Sequence, residues 1–388
     1  MIPYASRLIC NLVGVSMKVT NININILKEI LQRIPEKELQ LKKKFPKYEK
    51  WIEGKDYPTY NQLVELSKIF DIPFGYFFLD KLPERKYPIP HYRTNQNGDF
   101  NPSSELLDTI LFAQKIQEWA KDILLEWGQE KLPFCGKYKD NYNIELVIKE
   151  LKRIFEIENN WASTKSTWTE ALNYLIEKAE EKGIIVLRNG VVGNNNHRKL
   201  IVDEFRGFVL YDEIAPVIFI NNNDAISAKI FTLIHEIVHI LIGQSASFDL
   251  GNLLSANNKI EQFCDKCTAE FLVPAEEIKN IYTQKTNLEE LARHFKVSQI
   301  VILRRLLDTS LITKQEFIEK LKDLYEKEKR IPQGSGGDFY HTIPHRLSKR
   351  FLHILNSAVK NNTILFRDAL RITNLSAKTY DNLFNRTI

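Results

Sequence analysis

The stretch from Asn221 to Gly243 reads NNNDAISAKIFTLIHEIVHILIG and contains His235-Glu236-Ile237-Val238-His239. On an α-helix, positions i and i+4 stand one above the other, so His235 and His239 aim their imidazoles at a single point. Two neutral imidazoles converging in this way suit a divalent transition metal, zinc above all. Glu236, beside the first histidine, leans over the same point, where it could take a proton from a metal-bound water. The chemistry indicated is hydrolysis at a metal ion.

The helix that must carry these groups is well marked. Asn223 or Asp224 is expected to cap its start, and no Pro or Gly interrupts it. Gly243 supplies a stop. Ile234, Ile237, Val238, Ile240, Leu241 and Ile242 surround the polar triplet, so the helix should be buried. Buried His and Glu require partners, and a third ligand is therefore sought.

It is offered by a second helical segment, Asn257 to Val273, closed by Pro274. Glu261 and Asp265 lie one turn apart on a single face of it. In a His-His-Glu site a carboxylate from a second helix completes the ligand set, and another carboxylate one turn on can accept the outer N–H of a ligating histidine. Glu261 takes the first role and Asp265 the second, with a water in the open fourth position. A solvated acidic face is the plainer reading of the same pair.

These residues resemble the ImmA/IrrE metallopeptidases, in which an H-E-x-x-H helix is followed by E-x-x-A-[ND]-x-F-A-A-E-L-L-M-P. Here the second segment runs Glu261-Gln262-Phe263-Cys264-Asp265-Lys266-Cys267-Thr268-Ala269-Glu270-Phe271-Leu272-Val273-Pro274. Cys264, Cys267 and Thr268 replace Ala, Phe and Ala at positions that look like packing sites. The likeness extends through Gly207-Phe208, Pro216 to Asn221, Phe231-Thr232, Tyr76 to Leu79 and Ile89 to Arg93. It implies a zinc endopeptidase, with manganese as the alternative ion, that cuts one regulatory protein of the helix-turn-helix repressor type in a mobile element or a stress response. The competing reading is a regulator that binds DNA or a partner protein around a structural or inactive metal site. An intact Glu236 argues against it, because a retired site has no use for that carboxylate.

Composition fits a multidomain protein. The chain has 388 residues, 44% hydrophobic content and a net charge of +5, which permits contact with nucleic acid without requiring it. No run free of charge is long enough to span a membrane, and 4 cysteines without a paired framework indicate reduced thiols, so a cytoplasmic protein is expected. Cys264 and Cys267 form a C-x-x-C, read as structural thiols inside a helix. Oligomeric state has no sequence signal.

The expected organisation has five parts. Residues 1–16 form an uncertain or disordered lead that makes a poor secretory signal. Residues 17–85 read as short helices resembling a degenerate helix-turn-helix domain of the XRE type. Lys42, Lys43, Lys44, Lys47 and Lys50 there could touch phosphates, although no polar face suited to reading bases follows them. A protein-sensing role is preferred for this part, with weak, non-specific DNA contact as the other possibility. Residues 86–130 hold a Pro-rich linker and a long amphipathic helix, and 131–330 the peptidase domain. Residues 331–388 hold a Gly-rich connector and a helical extension. Tyr340 or His341 of the connector is a candidate to fold over the site; Pro344 argues against a second metal pair at His341 and His345.

The fold class expected is α+β, mostly helical. GIIVLRNGVV, GFVLYDEI and APVIFIN are β-rich runs bounded by Gly, Asn and Pro, and should form a small antiparallel sheet packed on the metal helix. Such a sheet edge can hold a peptide as an added strand.

Overall fold

The computed structural model describes residues 18–33, 38–70, 72–83, 102–244, 246–248, 259–283, 285–328 and 346–387. The lead at 1–16, most of the Pro-rich linker, and 331–345 with Tyr340, His341 and His345 lie outside the described residues. The chain divides into two compact units, 1–86 and 87–388.

In the first unit, α1 (Ile24–Arg33), α2 (Glu38–Lys44), α3 (Tyr48–Ile52), α4 (Tyr60–Phe70) and a 3₁₀ turn (Phe74–Phe78) enclose a small core. Ile26, Leu27, Ile30, Leu41, Trp51, Leu63, Leu66 and Phe70 fill it. The helices α2 and α3 are joined across Phe45, Pro46 and Lys47, and α3 is only 5 residues long with Tyr48 and Trp51 buried. Two of the lysines singled out above are paired with acids: Lys42 with Glu38 at 3.2 Å and Lys44 with Glu65 at 2.5 Å.

The second unit begins with α5 (Ser104–Glu126), whose first turn is capped by Ser103 Oγ accepting from Leu106 N at 3.1 Å. Helices α6 (Ile144–Phe155) and α7 (Trp168–Glu181) lead into the strands. These are β1 (Ile185–Asn189), a hairpin of β2 (Val191–Val192) and β3 (Asn195–Lys199), β4 (Gly207–Leu210) and β5 (Val217–Asn221). The chain then forms α8 (Ile226–Ile242), β6 (Ala246–Phe248) and α9 (Lys259–Leu272). Four further helices follow: α10 (Ala275–Ile281), α11 (Leu288–Phe295), α12 (Gln299–Asp308) and α13 (Lys314–Glu328). The C-terminal group is α14 (Lys349–Lys360), α15 (Phe366–Thr373) and α16 (Ala377–Thr387). The molecule is thus mostly helical with a small sheet, an α+β architecture.

The main sheet has the order β1-β5-β4-β6. β4 and β5 form an antiparallel hairpin pair, and β6 runs antiparallel to β4. One pairing departs from the antiparallel sheet expected: β1 is parallel to β5, with Ile185 opposite Val217 and Asn189 opposite Asn221. The cause is topological. The chain leaves β1, crosses through the small hairpin, enters β4 and turns back as β5, so adding β1 outside β5 leaves those two strands pointing the same way.

Alternation along each strand then decides which face is covered by what. Val186, Val209, Ile218 and Ile220 pack with α8 and the helices around it. Leu187, Phe208, Leu210, Val217 and Phe219 face the opposite way, into a core shared with α5, α14, α15 and α16. Both faces are dry, which is why β4 and β5 read as unbroken apolar runs instead of alternating ones.

Candidate metal centre

Helix α8 is buried from Lys229 to Ile242, so its backbone is fixed on all sides and its side chains have little room to move. Its N-terminal end is held differently from expectation. The N-cap position is Ala225, without a side-chain cap. Asp224 instead pairs with Arg206 at 2.8 and 3.1 Å, and Asn223 donates to the carbonyls of Gly190 and Leu200 at 2.7 and 2.8 Å. Tethering the incoming loop to the sheet outweighed a local cap. At the other end Gly243 takes the left-handed conformation, φ 74°, as a helix stop. The loop after Phe134 completes that end: Gly136 N and Tyr138 N each donate, at 2.9 Å, to the carbonyls of Ile240 and Leu241.

Helix α9 packs against α8, and its Phe263, Cys264, Cys267, Phe271 and Leu272 are buried in the core the two helices share. Its C-terminal end is tied to α12. Arg305 donates to Val273 O at 2.8 Å and to the Glu270 carboxylate, and Glu270 also accepts from Ala275 N at 3.2 Å. The two helices therefore present their polar residues in a fixed relation.

His235, His239 and Glu261 come together as a cluster of possible metal ligands. His235 Nε2 and His239 Nε2 are 3.0 Å apart, and Glu261 Oε2 stands 3.1 Å from the first and 3.4 Å from the second. Ligand atoms about 2.0–2.2 Å from a tetrahedral zinc lie roughly 3.4 Å from one another. The observed triangle is close to one face of that tetrahedron. Its donor set, two imidazoles and a carboxylate, is also the one zinc accepts at hydrolytic sites. The residues present fit the ion. Asp265 Oδ1 lies 3.1 Å from His235 Nδ1, on the side of the ring away from the triangle, where an acceptor would fix the tautomer.

The electrostatics follow from burial. Both histidines and Glu236 have no exposed surface. Burial opposes a charged imidazole at His235, but Asp265 and Glu261 outweigh it and hold the ring up to about 10, so a proton is retained among the carboxylates in the metal-free protein. Burial likewise opposes ionisation of Glu261, and the two histidines reverse this to hold its carboxyl well below the usual range. Glu236 is raised well above the ordinary carboxylate value, first by burial and further by the Glu261 charge, with His235 pulling the other way. Neither oxygen of Glu236 has a hydrogen-bond partner among the described residues. An unpartnered buried carboxylate costs several kcal/mol at the order-of-magnitude level and is seldom retained for packing.

Gly207 was given no role from the sequence. A Cβ built there would meet Thr232 Cγ2 at 2.4 Å and the Phe219 carbonyl oxygen at 2.8 Å, with Glu236 Oε1 at 3.7 Å. Only glycine lets β4 come this near the helix at the turn that carries Glu236. The available signal was a glycine opening an otherwise apolar strand, a mark of close backbone approach. Cys264 and Cys267 are buried thiols, Cys264 raised well above the ordinary value and Cys267 pushed up to about 12, in both chiefly by desolvation. Among the described residues no helix is long and apolar enough to cross a membrane.

No curated protein matches the chain. Residues 347–386, spanning α14 to α16, match a domain family of unknown function, DUF8813. Residues 179–307, which contain the sheet and both helices of the cluster, match the M78 peptidase family model described as an IrrE N-terminal-like domain, and over that stretch the match supports the ImmA/IrrE resemblance.

Proposed function

We propose that the protein is a zinc-dependent endopeptidase in which His235, His239 and Glu261 hold the metal and Glu236 carries the proton. The observation that carries this reading is the Nε2, Nε2, Oε2 triangle of 3.0, 3.1 and 3.4 Å beside a buried, unpartnered carboxylate. When bound, zinc would polarise the scissile carbonyl, acidify a water and, through its charge, draw the Glu236 carboxyl down to where it can act as a base. Glu236 would take up one proton and, because burial favours its neutral form, hold it until the leaving amine needs it. Asp265, 3.1 Å from His235 Nδ1, would hold the ring proton on that nitrogen and leave the Nε2 lone pair to ligate the metal.

The substrate class follows from the resemblance: a regulatory protein of the repressor type, recognised with help from the first unit. In that unit the pairing of Lys42 and Lys44 with Glu38 and Glu65 favours protein recognition over a phosphate-binding face. The test is Glu236→Gln, which keeps shape and removes the base. Zinc content and thermal unfolding should match the wild type, while zinc-dependent cleavage of labelled casein or of a candidate repressor disappears. Full cleavage by the substituted, zinc-loaded protein would overturn the reading.

A further inference from the structure

The strand that touches the site does not have a free edge. β4 pairs with β5 on one side, and on the other with β6, the short strand that follows α8. The register places Phe248 opposite Gly207, Ser247 opposite Phe208 and Ala246 opposite Val209. Gly207 is the residue whose absent side chain would stand 3.7 Å from Glu236 Oε1. Residues 246–248 therefore run along the edge of the strand nearest the proposed base, where an extended peptide would gain main-chain hydrogen bonds and bring a carbonyl towards the cluster.

We infer that β6 is an internal occupant of the substrate edge, and that an extended segment of a protein substrate must displace it from β4 before cleavage. This rests on the peptidase reading for its consequence, though the exchange of strands at β4 does not. Three features support it. The ladder is 3 pairs long, against 5 between β1 and β5 and 4 between β4 and β5, so it is the shortest in the sheet and can be exchanged at least disruption. It lies at the end of the strand order, so among the described residues its removal breaks no other pairing of the main sheet. Its sequence, Ala-Ser-Phe, begins shortly after Gly243, where the left-handed turn and the close approach of Gly136 Cα anchor the chain.

The consequence is selectivity by competition. A tethered strand competes at an effective concentration of about a millimolar. A casual peptide supplied in solution loses to it. A protein substrate docked elsewhere on the enzyme presents its own strand at comparable effective concentration and can win. The substrate segment must then be extended and must lack proline at its ladder-donating positions.

The probe is a fluorescein-labelled heptapeptide copying residues 244–250, with binding read by anisotropy on the full chain. Neighbouring N–H groups of a strand point to opposite sides, so of Ser247→Pro and Phe248→Pro one removes a ladder N–H of the internal strand and the other serves as its control. One of the two variants should bind the peptide at least about tenfold more tightly than the wild type. In the wild type, millimolar peptide should expose the amides of 246–248 to hydrogen exchange while those of 207–210 stay protected. Equal or weaker binding by both folded variants, or wild-type amides at 246–248 that stay protected under millimolar peptide, would overturn the inference. Zinc-dependent casein cleavage should rise several-fold in the tighter-binding variant and vanish when Glu236→Gln is added. Peptide exchange as expected without any Glu236-dependent cleavage would sink the peptidase reading and leave the strand exchange standing.

Discussion

At the scale of single residues, the site is a balance of charges held out of water. Removing the ligating oxygen by Glu261→Gln should lower zinc occupancy outright, whereas Asp265→Asn, acting only through His235, should weaken affinity on the order of 10- to 100-fold. Equilibrium dialysis against a competing chelator separates the two. The raised His235 gives a pH dependence of definite sign. Its ordinary value is 6.5 and its value in the metal-free fold about 10, so near pH 7 the ring holds a proton that zinc must displace. Zinc binding should release about one proton per chain from His235 and strengthen as pH rises from 6 towards 9. Without metal, the same shift stabilises the fold fully below 6.5 and is lost as pH climbs through about 10. A titration in weakly buffered solution that shows no proton release would contradict the arrangement.

Gly207 belongs to the same scale. Gly207→Ala pushes a methyl against Thr232 Cγ2 and the Phe219 carbonyl, so it should cost about 1–3 kcal/mol and displace the turn that carries Glu236. Adding Thr232→Ser removes the first of these contacts and should restore part of the stability and activity. Denaturant melts of the single and double variants check this, and a silent Gly207→Ala would show that β4 can move away from the helix at little cost.

At the scale of elements, the parts legible in the sequence were those whose residues solve a local problem. The apolar stripe and Gly243 defined α8, and the end of α9 was set by Pro274. The runs GFVL and VIFIN declared themselves as strands because both faces had to be dry. The polar strand β3, Asn195–Lys199, was illegible because most of its side chains are exposed and carry no periodic signal. β6 was missed because 3 residues are too few for any pattern to form. The parallel pairing of β1 with β5 and the loss of the expected cap at Asn223 or Asp224 come from long-range partners, Val217 to Asn221 in one case and Arg206 and the β2–β3 region in the other. No neighbour in sequence announces these.

At the scale of the whole molecule, the C-terminal helices are part of the second unit's core. Phe351, Leu352, Leu355, Ala369 and Leu383 share one cluster with Phe208, Val217 and Phe219 on the face of the sheet opposite α8. Deleting residues 346–388 should therefore expose that face, lower the melting temperature by several degrees or cause aggregation, and reduce zinc loading with it. A detachable appendage would leave all three unchanged. The first unit has its own core, so deleting residues 1–85 should leave zinc bound and the second unit folded. Cleavage of the natural protein substrate should then fall while cleavage of casein persists, if this unit serves recognition. Sequence-specific DNA binding by the isolated fragment 17–85 at physiological salt would instead favour a transcriptional role.

The most direct measurement of the central claim is the metal content of the folded full chain, purified without chelator and then titrated with zinc. The arrangement of His235, His239 and Glu261 predicts about one tightly held zinc per chain, lost in His239→Ala and Glu261→Gln and retained in Glu236→Gln. A folded wild-type protein that takes up no zinc, or that keeps its zinc when both His239 and Glu261 are replaced, would contradict the account.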